Sequence, residues 1–199
     1  MNAPPRALAF GIAAAFVVLA LTIALFAPRA ERGATASHGT PVDPPKQAAD
    51  FILSDGDGRP AHIVDRAYPV TMLFFGYTHC PDTCPLALAA LGRAYRSLDA
   101  AQQARTRIVF ITVDPLRDRP AVVRAYVRNF DPHVVGLTGS LRELARVWTA
   151  YGVRVDARTR EVGHGDTMYA ITSDGRVAYV YPPDTLATDL AADLRALAR

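Results

Sequence analysis

Cys80 and Cys84 are the only cysteines of the 199-residue chain and lie in the stretch LFFGYTHCPDTCPLALAAL, residues 73–91. The thiolate is the nucleophilic and metal-binding form of the residue. A close pair can therefore cycle through a disulfide, hold a metal ion, or staple the fold. One pair does not make a disulfide-built scaffold, so the domain must stand on its own core and the pair points to reversible chemistry or metal binding. The spacing is C-x-x-x-C, not the C-x-x-C of thioredoxin redox pairs. If both residues are helical, positions i and i+4 share a face and both sulfurs look toward one point. Pro81 and Pro85 stiffen that turn by fixing φ and removing two N–H donors. Two soft sulfurs on one face suit Cu(I) first and Zn(II) less well. A closed zinc site needs four protein ligands, and this pair supplies two. A trigonal site of two sulfurs and one nitrogen would suit Cu(I).

The nitrogen must come from one of five histidines. His79 adjoins Cys80, but neighbouring side chains in a turn seldom point the same way, and it reads as a modulator of the thiols or a bystander. His62 and His133 sit at strand edges or loops, and His38 in a polar stretch, all with the reading of ordinary solvated residues. His164 lies in EVGHGDTMYAI, between two glycines and just before a buried strand. Its neighbours leave the imidazole uncrowded and permit tight backbone geometry. Pattern alone leaves it open between a ligand and a loop histidine.

The elements that must position these groups alternate. FILSDGDGRPAHIV reads as a β-hairpin across an Asp-Gly turn. PVTMLFFGY (69–77) and RIVFITVDP (107–115) are continuous apolar runs of buried strands. A helix is expected from Pro81 onward, with Leu88, Leu91, Tyr95 and Leu98 along one face. RPAVVRAYVRNF (119–130) is amphipathic, with Pro120 suited to a first turn. HVVGLTG is a short strand, and SLRELARVWTAYG opens with Ser140 and Glu143 in capping-box spacing. The chain ends on a hairpin, TMYAITSDGRVAYVY, and a helix for which Asp184 is a candidate cap. Strands alternating with helices describe an α/β sandwich. The cysteines fall after the first buried strand, at a helix N-terminus, where unpaired N–H groups and positive partial charge favour a thiolate.

Ahead of this domain, residues 7–27 carry no charge over 21 positions, enough at about 1.5 Å per residue for a helix of roughly 30 Å, the thickness of a bilayer core. This exceeds the usual apolar region of a cleaved signal peptide. Residues 1–28 are therefore expected to be a membrane anchor, with cleavage after Ala36 as the alternative. A short tail before such a segment stays inside and the remainder is exported, which puts the domain in an oxidising compartment. Residues 29–47, rich in Pro, Ala, Gly and polar residues, are expected to be a flexible linker, and residues 48–199 the domain. The 22 basic and 19 acidic residues are interspersed, giving a net charge of +3. No basic–aromatic face for nucleic acid results. GLTGS (136–140) lacks the spacing and lysine of a phosphate loop.

FFGYTHCPDTCP, followed by IVFITVDPLRDRP, VVGLTG and a histidine before a late apolar strand, resembles the Sco/SenC family over about residues 48–199. The resemblance implies a thioredoxin-like fold, here with an added N-terminal hairpin and a preceding transmembrane helix. It also implies a copper protein of the bacterial inner membrane, its domain facing the periplasm, that helps assemble cytochrome c oxidase. Its copper ligands would be Cys80, Cys84 and His164. Asp82 and Asp114 match acids of the family motifs, with a role in supporting the ligands or contacting a partner; the plainer reading of Asp82 is a helix cap. The partners implied are the copper-site subunit of the oxidase and a thiol reductant such as a thioredoxin-like protein. The family's usual Asp-His-Ser is replaced here by Gly163-His164-Gly165, which removes an acid beside the expected ligand.

Two functions fit these residues: a metallochaperone that delivers copper to the binuclear site of the oxidase, and a thiol–disulfide reductase that keeps the oxidase cysteines reduced. A peroxiredoxin-like peroxidase shares the order of hairpin and cysteine, but the second cysteine so close and the flanking prolines suit it poorly. A thioredoxin would carry a cis-proline facing its cysteines, and residues 161–168 contain no proline.

Overall fold

The computed structural model describes residues 37–155, 162, 163 and 167–199, so the expected membrane segment and His164 lie outside the described residues. Among the described residues no helix is long and apolar enough to cross a membrane.

Strand β4 (Val70–Gly76) is buried along its whole length. Its side chains alternate between two cores: Met72 and Phe74 face one, Leu73 and Phe75 the other. This is the period of two that a strand covered on both faces requires. β5 (Thr106–Thr112) and β6 (Val134–Leu137) run parallel to it in order, each pairing residue by residue from Val70↔Thr106 and Ile108↔Val134. On its other edge β4 meets β9 (Met168–Thr172) antiparallel. β9 in turn pairs with β10 (Arg176–Tyr181), and β10 with β1 (Thr40–Gln47), giving a sheet of order β1-β10-β9-β4-β5-β6. The turn from β9 to β10 runs through Gly175 at φ +76°, where a residue bearing a Cβ would be strained.

Helices α1 (Thr83–Arg96), α3 (Pro120–Arg128) and α5 (Ala187–Leu197) cover one face, supplying Leu88, Leu91, Val123, Val127, Leu190 and Leu194 to its core. A one-turn helix α2 (Ala100–Ala104), capped by Asp99, precedes β5. The other face is covered by α4 (Leu141–Tyr151) through Leu144, Val147 and Trp148, and by the hairpin of β2 (Ile52–Ser54) and β3 (Pro60–His62) through Leu53, with Ile63 just beyond it. The capping box holds: Ser140 Oγ accepts from the Glu143 N–H and Glu143 accepts from the Ser140 N–H. Pro120 occupies the first turn of α3. A short ladder of β7 (Arg154–Val155) and β8 (Val162–Gly163) leads toward β9. The architecture is the expected α/β sandwich with an added hairpin.

Three expectations need correction. The stretch expected as a linker ends in a strand: Thr40–Gln47 is β1, the edge of the main sheet, with its register shifted between Pro41 and Lys46. An edge strand with an irregular middle accommodates prolines that an interior strand would reject, and its mostly exposed side chains carry no apolar alternation. His38 is also not a bare solvated residue. The Asp193 carboxylate of α5 accepts from Ser37 Oγ, the His38 and Gly39 N–H groups and the Tyr181 hydroxyl at 2.8–3.1 Å, and His38 Nδ1 lies 3.2 Å from it. This single buried acid fastens the chain where it enters the domain. The third correction is small. α5 starts after Leu186 with no side-chain cap, so Asp184 does not cap it.

Candidate functional site

The cysteine turn sits at the C-terminal end of β4, where the chain leaves the sheet and starts α1. Helix begins at Thr83, so Cys84 occupies the first turn while Cys80 precedes the helix. The two residues therefore do not share a helical face in the simple i, i+4 sense. They are joined by a different contact: the Cys84 N–H donates to Cys80 Sγ at 3.4 Å. The opening N–H groups of a helix lack intrahelical acceptors, and here a sulfur takes one of them. Asp82 occupies the N-cap position, yet its side chain makes no cap hydrogen bond. The capping role expected of Asp82 has passed to Cys80.

The two sulfurs differ in exposure. Cys80 is half-buried and Cys84 is 1% exposed, and no disulfide joins them. Cys84 Sγ lies against the backbone of Gly76: a Cβ at that position would stand 2.7 Å from the sulfur and 2.8 Å from Phe110 Cε2. Glycine is required there because the sulfur and the ring already fill the space. The Phe110 ring packs on Tyr126 of α3 with centroids 5.8 Å apart. The Tyr126 hydroxyl is buried and has no hydrogen-bond partner among the described residues. Burial raises its phenol pKa most, and the Cys84 and then the Cys80 sulfurs raise it further.

A second acid does the work of holding the turn. Asp118 is 0% exposed. Its Oδ2 accepts from the Thr78 N–H at 3.0 Å and Thr112 Oγ1 at 2.6 Å, and its Oδ1 from Thr78 Oγ1 at 2.6 Å. Thr78 stands two residues before Cys80, and Thr112 ends β5. One carboxylate thus clamps the cysteine turn to the neighbouring strand. His79, exposed, has Nδ1 3.0 Å from Thr78 Oγ1 and 3.9 Å from Asp118 Oδ1.

Asp114, one of the expected acids, is 2% exposed and pairs with Arg117, while its N–H donates to Thr112 Oγ1 at 2.9 Å. It supports the same strand end as Asp118. Among the described residues no three His, Cys, Asp or Glu side chains gather as a metal site. The expected third ligand, His164, lies outside the described residues. β8 ends at Gly163, and β9 opens with Met168 paired to Phe74, near the end of β4 that feeds the cysteine turn.

Two residues of this site escape a reading of the sequence. Asp118 sits in the quoted motif IVFITVDPLRDRP, but a second acid among arginines looks like solvated charge. Tyr126 falls on the apolar side of an amphipathic helix and reads as core. Its distinguishing feature, a buried hydroxyl without a partner, exists only in three dimensions.

What the two sulfurs can do follows from this arrangement. The half-exposed Cys80 accepts an N–H at a helix start. The buried Cys84 sits directly behind it. Such a pair suits a soft cation that enters from the Cys80 side, and equally an exchange in which one sulfur is attacked and the other resolves.

A family model described as SCO1/SenC matches residues 40–199. The mouse (Mus musculus) mitochondrial SCO2 homolog is 34% identical over 153 residues, which is 73% of this chain and 60% of that protein. The chain spans between 50 and 60% of the length of the mouse, bovine and human relatives it matches. In three dimensions it is similar to apo Sco1 from Thermus thermophilus, at a TM-score of 0.72 and 35% identity, covering 83% of this chain and 99% of that one. It is also similar to ScoI of Bradyrhizobium japonicum with copper bound, at a TM-score of 0.66 and 33% identity, covering 76% of this chain and 99% of that one.

Proposed function

The chain belongs to the SCO1/SenC family, and from that premise we propose that it is a membrane-anchored metallochaperone delivering copper to the binuclear copper site of cytochrome c oxidase during its assembly. Copper is the cargo, and Cys80, Cys84 and His164 are the residues that would hold it. The observation that carries this reading is the contact of the Cys84 N–H with Cys80 Sγ at 3.4 Å, which brings the two cysteines together on one turn. A cargo site must also release what it holds. Cys80 is half-exposed and its partner buried, so among the described residues Cys80 is the sulfur that a recipient can reach. The copper-bound relative supports the choice of metal.

The uncharged segment 7–27 would be an uncleaved anchor in the bacterial inner membrane, with the domain in the periplasm. There the copper-site subunit of the oxidase is the recipient, and a thioredoxin-like thiol reductant would return an oxidised Cys80–Cys84 pair to the dithiol.

A second reading rests on the unequal exposure of the sulfurs: a thiol–disulfide reductase in which Cys80 attacks and Cys84 resolves, acting on the oxidase cysteines. One experiment separates the two. Cu(I) is titrated into the reduced full-length protein in detergent, beside Cys80→Ser, Cys84→Ser and His164→Ala. One-to-one binding that is lost in the cysteine variants and weakened at least tenfold in His164→Ala establishes the chaperone site. Copper binding that is weak, or unchanged by His164→Ala, while thiol exchange persists, transfers the function to the reductase.

A further inference from the structure

Strand β5 carries an arginine near its start, where the rest of the strand is apolar. By the two-residue alternation of a strand, Arg107 shares a sheet face with Val109 and Ile111, and it is only 9% exposed. Its guanidinium donates from Nη1 to the Ile63 carbonyl at 3.1 Å and from Nη2 to the His62 carbonyl at 3.0 Å. It also lies 6.0 Å from the centre of the Tyr68 ring. All three partners are neutral. The arginine ion pairs among the described residues belong to Arg96, Arg117, Arg124 and Arg176. A buried charge is normally paired. Fastening the β2–β3 hairpin accounts for the place of Arg107 and leaves its charge unmatched.

A cavity of about 470 Å3 adjoins this group, and its walls include Arg107, Arg66, His62 and Asp65. A guanidinium has five N–H donors, and the two bonds to the hairpin leave three of those of Arg107 for a ligand. Arg66 is exposed and belongs to none of the ion pairs above. The nearby acids are committed elsewhere: Asp50 to His62 Nδ1 at 2.7 Å and the Val64 N–H at 3.0 Å, and one oxygen of Asp65 to the Ala67 N–H at 3.0 Å. Burial pulls the Arg107 pKa below its ordinary value, and the charge of Asp65 offsets this only in part. Two guanidiniums therefore line the cavity with one carboxylate.

We propose that this cavity binds a phosphate-class oxyanion between Arg107 and Arg66. Guanidinium donors match phosphate oxygens in pairs. A tetrahedral anion can offer oxygens to two guanidiniums at once, where a planar carboxylate has only two oxygens to share. The bound anion would supply the counter-charge that Arg107 lacks. Arg107 stands at the start of β5, whereas the cysteine turn leaves the end of the parallel strand β4, about 17 Å along the sheet at roughly 3.3 Å per residue. The anion site is thus separate from the cysteines and independent of the copper reading.

The test titrates inorganic phosphate into the full-length chain in a phosphate-free detergent, by calorimetry at an ionic strength held constant with chloride. One-to-one binding with a Kd of about 1 mM or below is expected. Arg66→Gln, at an exposed position, and Arg107→Lys, which keeps the charge but not the fork, should each weaken it about tenfold, the loss of one charge-assisted contact. Binding that is absent from the parent, or unchanged by either substitution, overturns the proposal. If Arg107→Lys does not fold, Arg66→Gln alone decides. A second arm adds phosphatidylglycerol to the micelles. Competition with inorganic phosphate that Arg66→Gln weakens assigns a lipid headgroup as the source of the anion, and phosphate binding without competition assigns a free phosphate compound.

Discussion

Replacing Asp118 by alanine tests whether one buried carboxylate holds the cysteine turn in place. The side chain is fully buried and accepts from the Thr78 N–H, Thr78 Oγ1 and Thr112 Oγ1 at 2.6–3.0 Å. Hydrogen bonds to a charged acceptor contribute roughly 1.5–3 kcal/mol each, and a stranded buried donor costs roughly 1–3 kcal/mol. The sum is not simple. Both threonine hydroxyls can rotate toward other acceptors, and alanine also removes the desolvation cost of burying a carboxylate. The Thr78 N–H has neither escape. A net loss of about 3–5 kcal/mol follows, a large share of the roughly 5–15 kcal/mol that stabilises a domain. Urea unfolding can be followed by the single tryptophan, Trp148, which is buried and whose indole N–H faces the Thr112 carbonyl at 3.3 Å. The midpoint should fall with the slope unchanged. Asp118→Asn should lose less, because its amide oxygen still accepts. Because Thr78 stands two residues before Cys80, alkylation of Cys80 in the native Asp118→Ala protein should also accelerate. A loss below about 1 kcal/mol in Asp118→Ala, or full additivity with Thr78→Val, would show that the carboxylate is no clamp.

Asp193 gives a pH-dependent counterpart at the entry to the domain. Burial raises its carboxyl pKa, but hydrogen bonds from Ser37, His38, Gly39 and Tyr181 outweigh this and hold it below the ordinary value. Because the folded-state pKa is the lower one, its contribution is complete above the unfolded value of about 3.9 and is lost as pH falls through the folded value. Unfolding of Asp193→Asn measured from pH 7 down to 2 should start about 2–3 kcal/mol less stable, from the loss of charged hydrogen bonds, and converge on the parent in acid. Asp82→Ala should behave in the opposite way from a capping residue. Its side chain makes no cap bond, so chemical denaturation should show a change within about 0.5 kcal/mol instead of the roughly 1 kcal/mol of a lost cap.

The amino-acid order alone determines the sandwich, because the information is local. The unbroken apolar runs of β4 and β5 demand cover on both faces, and the 3–4–3 spacing of Leu88, Leu91, Tyr95 and Leu98 supplies one such cover; all four are buried. The Ser140–Glu143 box and the glycine of the late hairpin are written in three or four neighbouring residues, and each stands where its chemistry requires. The cysteine pair is legible for the same reason, as two rare side chains on one turn. Pairings between distant segments are not local. Thr40–Gln47 becomes a strand only because β10 offers it an edge, and nothing in its prolines announces that. Asp193 depends on an N-terminal segment more than 150 residues away, and Asp118 on Thr78, which lies 40 residues earlier. Most subtly, the spacing of Cys80 and Cys84 suggests a shared helical face, whereas the fold starts the helix between them and lets the first sulfur accept the N–H of the second residue. Local sequence sets which groups are present; tertiary packing decides which donors go unmet and therefore which side chain must serve them.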